Sequence, residues 1–266
     1  MAETEDEIVW TDDMIRWDDV KPKSKDESDE EEEAMFNPFK DPDPIKTFTY
    51  RFPRPILHKD KDGGFIEVQL QGYLSDADEV WQSTGVTLWR AATFLCEFMM
   101  KNVDLFQNKS SLELGAGLGL NGILAHLMTS EGSTCLTDGD TDALIHLREN
   151  VKMNRVKERI DDITCHQLLW GSETSEKFLE KNSRGQKFDI LLASDIIYVK
   201  SIIAPLWETV QTLLTKKNGI FVMAFAKRRV PVSIEFVLQS AEEAGFTHEL
   251  VSEHHEGIWV YLFRWK

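Results

Sequence analysis

The sequence predicts an α/β domain: a doubly wound, mostly parallel seven-stranded sheet closed by an antiparallel C-terminal hairpin. Three observations predict it. Apolar, strand-like runs alternate with amphipathic, helix-like segments over about 130 residues from Ser110 onward, the pattern of a parallel sheet with helices on its faces. A glycine-rich turn, Gly115-Ala116-Gly117-Leu118-Gly119, follows the first of those strands without a break. The last two strand-like runs have no helix between them, so they pair as a hairpin at the end of the sheet.

Each element has its own justification. Phe65-Ile66-Glu67-Val68-Gln69-Leu70 partly alternates after an Asp62-Gly63-Gly64 turn and reads as a strand of an N-terminal β-hairpin extension. Residues 84–102 place Leu88, Ala91, Ala92, Leu95, Phe98 and Met99 mostly three and four apart, which predicts a helix. Residues 110–114 form the first strand. Further strands are expected at 134–138, 163–168, 188–195 and 219–226, separated by helices near 120–129, 141–154, 172–182 and 201–216. The 188–195 run has an apolar centre, as a strand covered on both faces requires. A helix near 232–244 stops at Gly245, a natural C-terminal cap, and strands at about 247–252 and 258–265 finish the chain.

Composition bounds the function. The 266 residues carry 46 acidic against 30 basic side chains, a formal charge of −16, which argues against a uniformly basic nucleic-acid binder. The excess is uneven: residues 1–45 hold 17 acidic and 5 basic residues, with an unbroken block from Asp29 to Glu33. Such a block repels itself and buries nothing, so 1–45 is expected to be a disordered acidic tail ahead of a domain spanning 46–266. Ile8-Val9-Trp10, Met14-Ile15 and Trp17 interrupt the acid. The tail is therefore either a solubilising segment or an arm that docks a partner protein, and Ser28 before the acidic run fits an acidophilic kinase site.

No apolar run reaches 18 residues, so no membrane span is expected, and the N-terminus lacks a secretory h-region. Cys96, Cys135 and Cys165 are too scattered for a disulfide framework or a zinc site. His254 and His255 are adjacent on a strand and should point to opposite faces, so no metal site is expected there. These features suit a reducing compartment: a cytoplasmic monomer, with the nucleus as a second setting.

Ligands of doubly wound sheets bind at the carboxyl ends of the strands, near the switch in strand order. Four features fall there. The glycine turn lets backbone approach a ligand closely. Asp138 ends the next strand, 21 residues beyond Gly117, where a carboxylate can accept hydrogen bonds from ribose hydroxyls. Together they point to an adenosine cofactor, either NAD or S-adenosylmethionine. Two arguments favour the latter. Glu113, two residues before Gly115, would repel a pyrophosphate and attract a sulfonium and an amine. The chain's last segment also fits a hairpin rather than the second mononucleotide half of a dehydrogenase. Ser194-Asp195-Ile196-Ile197-Tyr198 sets an acid and an aromatic three apart; Asp195 either faces the ligand or caps the following helix. Trp170 either covers an adenine or belongs to the core.

Glu113-Leu114-Gly115-Ala116-Gly117, Leu169-Trp170-Gly171 and Asp195-Ile196-Ile197-Tyr198, in this order and spacing, resemble the seven-β-strand protein methyltransferases of methyltransferase family 16. Thr84-Gly85-Val86-Thr87-Leu88-Trp89-Arg90-Ala91-Ala92 is similar to that family's Gly-x-x-Leu-Trp-x-Ala-Ala helix. Thr137-Asp138-Gly139-Asp140 and Ala226-Lys227-Arg228-Arg229 are similar to its calmodulin-lysine methyltransferase branch. The likeness covers residues 65–266. It implies a class I, Rossmann-like fold and S-adenosylmethionine-dependent N-methylation of a protein side chain, most often lysine. Carried over by position, Glu113, Gly115, Gly117, Asp138 and Trp170 would hold the cofactor, and Trp89 and Ala193 would line its pocket. Asp195 and Tyr198 would form the substrate motif. Two departures are Arg90, where proline or aspartate is commoner, and Leu118-Gly119-Leu120-Asn121 in place of Thr-Gly-Leu-x. Arginine, histidine or small-molecule methylation, and a non-catalytic binding module, stay open as alternatives. An Asn-Pro-Pro-Tyr type motif is absent after the fourth strand, which argues against nucleic-acid bases as substrates.

Overall fold

The computed structural model describes residues 45–54, 64–73, 84–227, 232–255 and 257–266. The tail through residue 44, Asp62-Gly63 of the expected turn, and Arg228-Arg229 lie outside the described residues.

Two strands come first, β1 (Lys46–Pro53) and β2 (Phe65–Gly72), paired antiparallel. Their alternation buries Tyr50, Phe52, Ile66, Val68 and Leu70 on one face. The main sheet follows: β3 (Ser111–Leu114), β4 (Thr134–Asp138), β5 (Ile163–Gln167), β6 (Ile190–Ser194), β7 (Ile220–Ala226), β8 (Phe246–His254) and β9 (Ile258–Trp265). Its order is β5-β4-β3-β6-β7-β9-β8, parallel from β5 to β7 and antiparallel at β7–β9 and β9–β8. The chain runs outward from β3 through β4 to β5, then returns to β6 on the other side of β3. The switch in order therefore lies between β3 and β6.

Helices cover both faces. α1 (Arg90–Lys101), α2 (Leu120–Met128) and α3 (Thr141–Met153) share one apolar core with the hairpin. α4 (Ser172–Asn182), α5 (Ile203–Leu213) and α6 (Ile234–Glu243) share the other, where Trp207 packs among Phe221, Phe246 and Phe263. β6 feeds both cores by alternation: Ile190 and Leu192 belong to the first, Leu191 and Ala193 to the second. Among the described residues, no helix is long and apolar enough to cross a membrane.

The hairpin docks by an unusual device. Asn150 and Asn154 sit one turn apart on α3 and its C-cap, and each amide pairs with β2 as a strand would. Gln71 N–H donates to Asn150 Oδ1 (2.7 Å) and Asn150 Nδ2 donates to Gln71 O (3.1 Å). Gln69 N–H donates to Asn154 Oδ1 (2.9 Å) and Asn154 Nδ2 donates back to Gln69 O (2.6 Å). Asn150 Nδ2 also donates to Leu118 O (3.0 Å), which ties the hairpin to the glycine turn.

Four expectations differ from the fold. The helix expected from residue 84 begins at Arg90. Thr84–Val86 is a 3₁₀ turn, and Thr87 bridges Tyr73 of the hairpin instead of continuing a helix. The helix expected from 201 begins at Ile203 after a separate 3₁₀ turn, and the strand expected to reach Asp195 ends at Ser194. The rings of His254 and His255 do not diverge: their centroids are 4.1 Å apart, because β8 ends at His254 and strand alternation lapses in the turn.

Candidate active site

A cavity of about 270 Å³ opens at the carboxyl ends of β3, β4 and β6, beside the switch in strand order. Its floor is the glycine turn between β3 and α2. Gly115 (φ 59°) and Gly117 (φ 51°) adopt the left-handed region, which other residues reach only at a cost. A Cβ at Gly115 would lie 2.8 Å from Ile196 Cγ2 and 3.7 Å from Trp170 Cζ2. A Cβ at Gly117 would lie 3.0 Å from the carbonyl oxygen of Gly85. A side chain at either position would crowd these walls and strain the left-handed backbone.

Asp138 secures the turn from the end of β4. Its Oδ2 accepts from Gly117 N–H and its Oδ1 from Asp140 N–H, both at 2.9 Å. Burial raises its pKa, and these backbone donors oppose the rise. Each oxygen retains acceptor capacity, and Asp138 forms part of the cavity wall.

Trp170 is aimed by its neighbours in sequence. Gly171 N–H donates to Thr209 Oγ1 of α5 (2.8 Å), and Thr174 Oγ1 donates to Leu169 O (2.6 Å). Trp89, also on the cavity wall, stands at the N-cap of α1, its Nε1 donating to Thr84 O (3.0 Å). That bond folds the Thr84–Trp89 segment over the glycine turn, where Thr84, Gly85, Thr87, Leu88 and Trp89 all contribute wall.

The wall opposite Asp138 is the end of β6. Asp195 is 7% exposed and has φ 57°, a left-handed aspartate whose N–H donates to Ala224 O of β7 (2.9 Å). That conformation costs about 1–2 kcal/mol for a non-glycine residue, less for aspartate, and clusters at functional sites. Val199 and Ile202 hold the N-cap positions of the next helical turns, without a side-chain cap bond, so Asp195 is not a helix cap. Ile196 and Ile197 drop into the second core, and Tyr198 emerges 43% exposed at the cavity wall.

Seven of the sequence-derived site residues therefore meet around one space: Trp89, Gly115, Gly117, Asp138, Trp170, Asp195 and Tyr198. Two do not. Glu113 faces α2 beneath the cavity, because strand alternation turns it away from Leu112 and Leu114. Its Oε2 accepts from Gly122 N–H at 2.8 Å. Burial, with help from the Asp138 charge, pushes its carboxyl up to about 8, so it is mainly neutral at pH 7. Ala193 is fully buried in the second core, and its neighbour Ser194 takes the place on the wall. Sequence reasoning passed over Ser194, Asp140 and Asn121 as site residues. Asn121 had one signal, a polar residue in an otherwise apolar first turn of the helix that follows the glycine turn.

The charge of the wall is one-sided. Asp138, Asp140 and Asp195 line it, and no Lys, Arg or His does so among the described residues. Such a cavity disfavours a pyrophosphate and favours a cation.

Fold and site define a class: a doubly wound α/β domain with an acid-walled ligand cavity at its switch point. Within that class, residues 71–243 match the family model described as lysine methyltransferase, and the chain belongs to that family. Protein-lysine N-methyltransferase EFM3 of Chaetomium thermophilum is 28% identical over 165 residues, 62% of this chain and 49% of that protein. Protein N-lysine methyltransferase METTL21A of Xenopus tropicalis is 34% identical over 142 residues, 53% of this chain and 61% of that protein. Calmodulin-lysine N-methyltransferase of Arabidopsis thaliana is 22% identical over 174 residues, 65% and 55% respectively. The match thus spans about half to three fifths of the length of these relatives. A candidate SAM-dependent methyltransferase from Streptococcus mutans shares the fold, with a TM-score of 0.52 and 10% identity over 74% of this chain and 53% of that one.

Proposed function

We propose that the protein is an S-adenosylmethionine-dependent methyltransferase that modifies a lysine side chain of a protein substrate. The observation that carries this reading is the wall itself, where three carboxylates stand around a glycine turn and no cationic side chain joins them among the described residues. Membership of the lysine methyltransferase family, and relatives named for protein-lysine N-methylation, support the same substrate class.

The residues fit the donor. Gly115 and Gly117 leave backbone where a side chain would crowd the neighbouring wall. Asp138 keeps lone pairs for ribose hydroxyls after bonding the turn. Trp170 and Trp89 both contribute apolar wall. When bound, the sulfonium supplies an already activated methyl group, so the protein's task is to hold two partners in line. Asp195 orients the incoming amine by accepting its hydrogen bonds, and Tyr198 provides an aromatic flank for the lysine stem. Only about one free lysine in a few thousand is neutral at pH 7. Transfer out of water and the nearby sulfonium charge both favour the neutral amine. The Asp195 carboxylate opposes that shift, so its contribution is orientation.

Label transfer tests the reading. The wild-type chain, given radiolabelled adenosylmethionine and a cell lysate, is expected to mark discrete protein bands. Mass spectrometry of a labelled band should find the methyl on a lysine nitrogen. Label on arginine or histidine, or only in small molecules, would replace the substrate class. Cofactor binding without label would leave a binding module.

A further inference from the structure

We propose that Asn121 is a positioning residue for methyl transfer: through the Ser194 hydroxyl it locks the left-handed turn that aims Asp195. The inference rests on the assignment of this cavity to a methyl donor and its acceptor.

Asn121 lies in the first turn of α2 and is fully buried. Its Nδ2 donates to Ala92 O of α1 (2.7 Å) and to Cys96 Sγ (3.1 Å). Its Oδ1 accepts from Ser194 Oγ at 2.9 Å. One amide therefore ties α1, α2 and the end of β6 together at the place where Ala92, Asn121, Ser194 and Asp195 all reach the cavity wall. The two donated bonds fix which way the amide faces, and that leaves its carbonyl oxygen for the serine.

The serine matters because Asp195 is its neighbour in the chain. Asp195 holds φ 57°, a conformation that persists only when its surroundings over-determine it. Two bonds on adjacent residues do so here. Ser194 is held through its side chain by Asn121, and Asp195 is held through its N–H by Ala224 O. The turn is thus anchored to the helical layer on one side and to β7 on the other. An apolar residue at 121 would pack the same volume but leave the Ser194 side unanchored. A purely structural asparagine would affect melting temperature alone. A positioning asparagine affects turnover at saturating cofactor.

Ser194→Ala removes the hydroxyl with the smallest change in shape, and Ser194→Thr restores it on a residue suited to strands. Three quantities are read: adenosylmethionine affinity by calorimetry, the rate of label transfer into lysate protein at saturating cofactor, and amide hydrogen exchange across residues 195–198. Ser194→Ala should bind the cofactor within about twofold of wild type, transfer methyl about 10–100-fold more slowly, and exchange faster at 195–198. Ser194→Thr should return the rate to within about threefold. Asn121→Ala should move rate and exchange in the same direction as Ser194→Ala. A wild-type rate in Ser194→Ala overturns the proposal, as does a lost rate with unchanged exchange, which would mean the hydroxyl touches the ligand directly. If the wild type labels no protein, the functional reading fails, but exchange still decides the clamp: unchanged protection at 195–198 in both variants overturns it.

Discussion

The two sides of the cavity are built differently. The β3–β4 side is built around backbone: left-handed glycines form its floor, and a carboxylate bonded to two backbone N–H groups holds them in place. The β6 side is made of side chains, with Asp195 in a left-handed turn, Tyr198 emerging at 43% exposure, and Val199 and Phe236 exposed beyond it. Backbone can cradle one invariant molecule tightly, whereas exposed side chains suit a partner that changes from one enzyme to the next. On the proposed function the donor belongs to the first side and the acceptor to the second, and the two are then separable by mutation.

The largest expected effect lies on the β6 side. Asp195→Ala should lower methyl transfer by about a thousandfold or more while adenosylmethionine affinity, measured by calorimetry, stays within about threefold. Transfer at the wild-type rate would remove Asp195 from the chemistry. Gly115→Arg should do the reverse, weakening cofactor binding by about a hundredfold or more, because a Cβ there already meets Ile196 at 2.8 Å. An unchanged affinity would put the donor elsewhere. A smaller loss, about tenfold to a hundredfold in affinity, is expected for Asp138→Ala, which withdraws charge-assisted acceptors from the turn as well as from the ligand.

The smallest effect on binding, and the sharpest test of the boundary, is at Glu113. Burial raises its folded pKa to about 8, well above the unfolded value. The raised pKa makes its contribution to stability fully present below about pH 4.3 and progressively lost as pH rises through about 8. Glu113→Gln keeps an acceptor for Gly122 N–H and carries no charge. Thermal melts should show it matching the wild type in acid and exceeding it above neutral pH, with cofactor affinity within about threefold. A hundredfold loss of affinity would return Glu113 to the donor site.

Much of the molecule was legible from its residues alone. From β3 to α6 the chain announces itself, because parallel strands covered on both faces are near-continuous apolar runs and their helices are amphipathic. The glycine turn, Asp138 and Asp195 are found by the same logic, since ligands gather at strand ends. What sequence could not carry is direction. Glu113 sits in a ligand-facing position by spacing, yet strand alternation turns it under α2. Ala193 and Ser194 exchange places on the wall for the same reason. Residues 84–89 have helical spacing, but their partners are Tyr73 of the hairpin and the glycine turn, contacts that no local pattern reports. The pairing of Asn150 and Asn154 with β2 is likewise invisible, because it uses side chains to finish a backbone ladder.

A side-by-side titration of the purified chain with adenosylmethionine and with NAD is the most direct test of the acid-walled cavity. Adenosylmethionine should bind saturably, with binding lost in Gly115→Arg, and the dinucleotide should bind at least about a hundredfold more weakly because its pyrophosphate meets the same carboxylates. Tighter binding of the dinucleotide, or adenosylmethionine binding that survives Gly115→Arg, would contradict this assignment of the cavity.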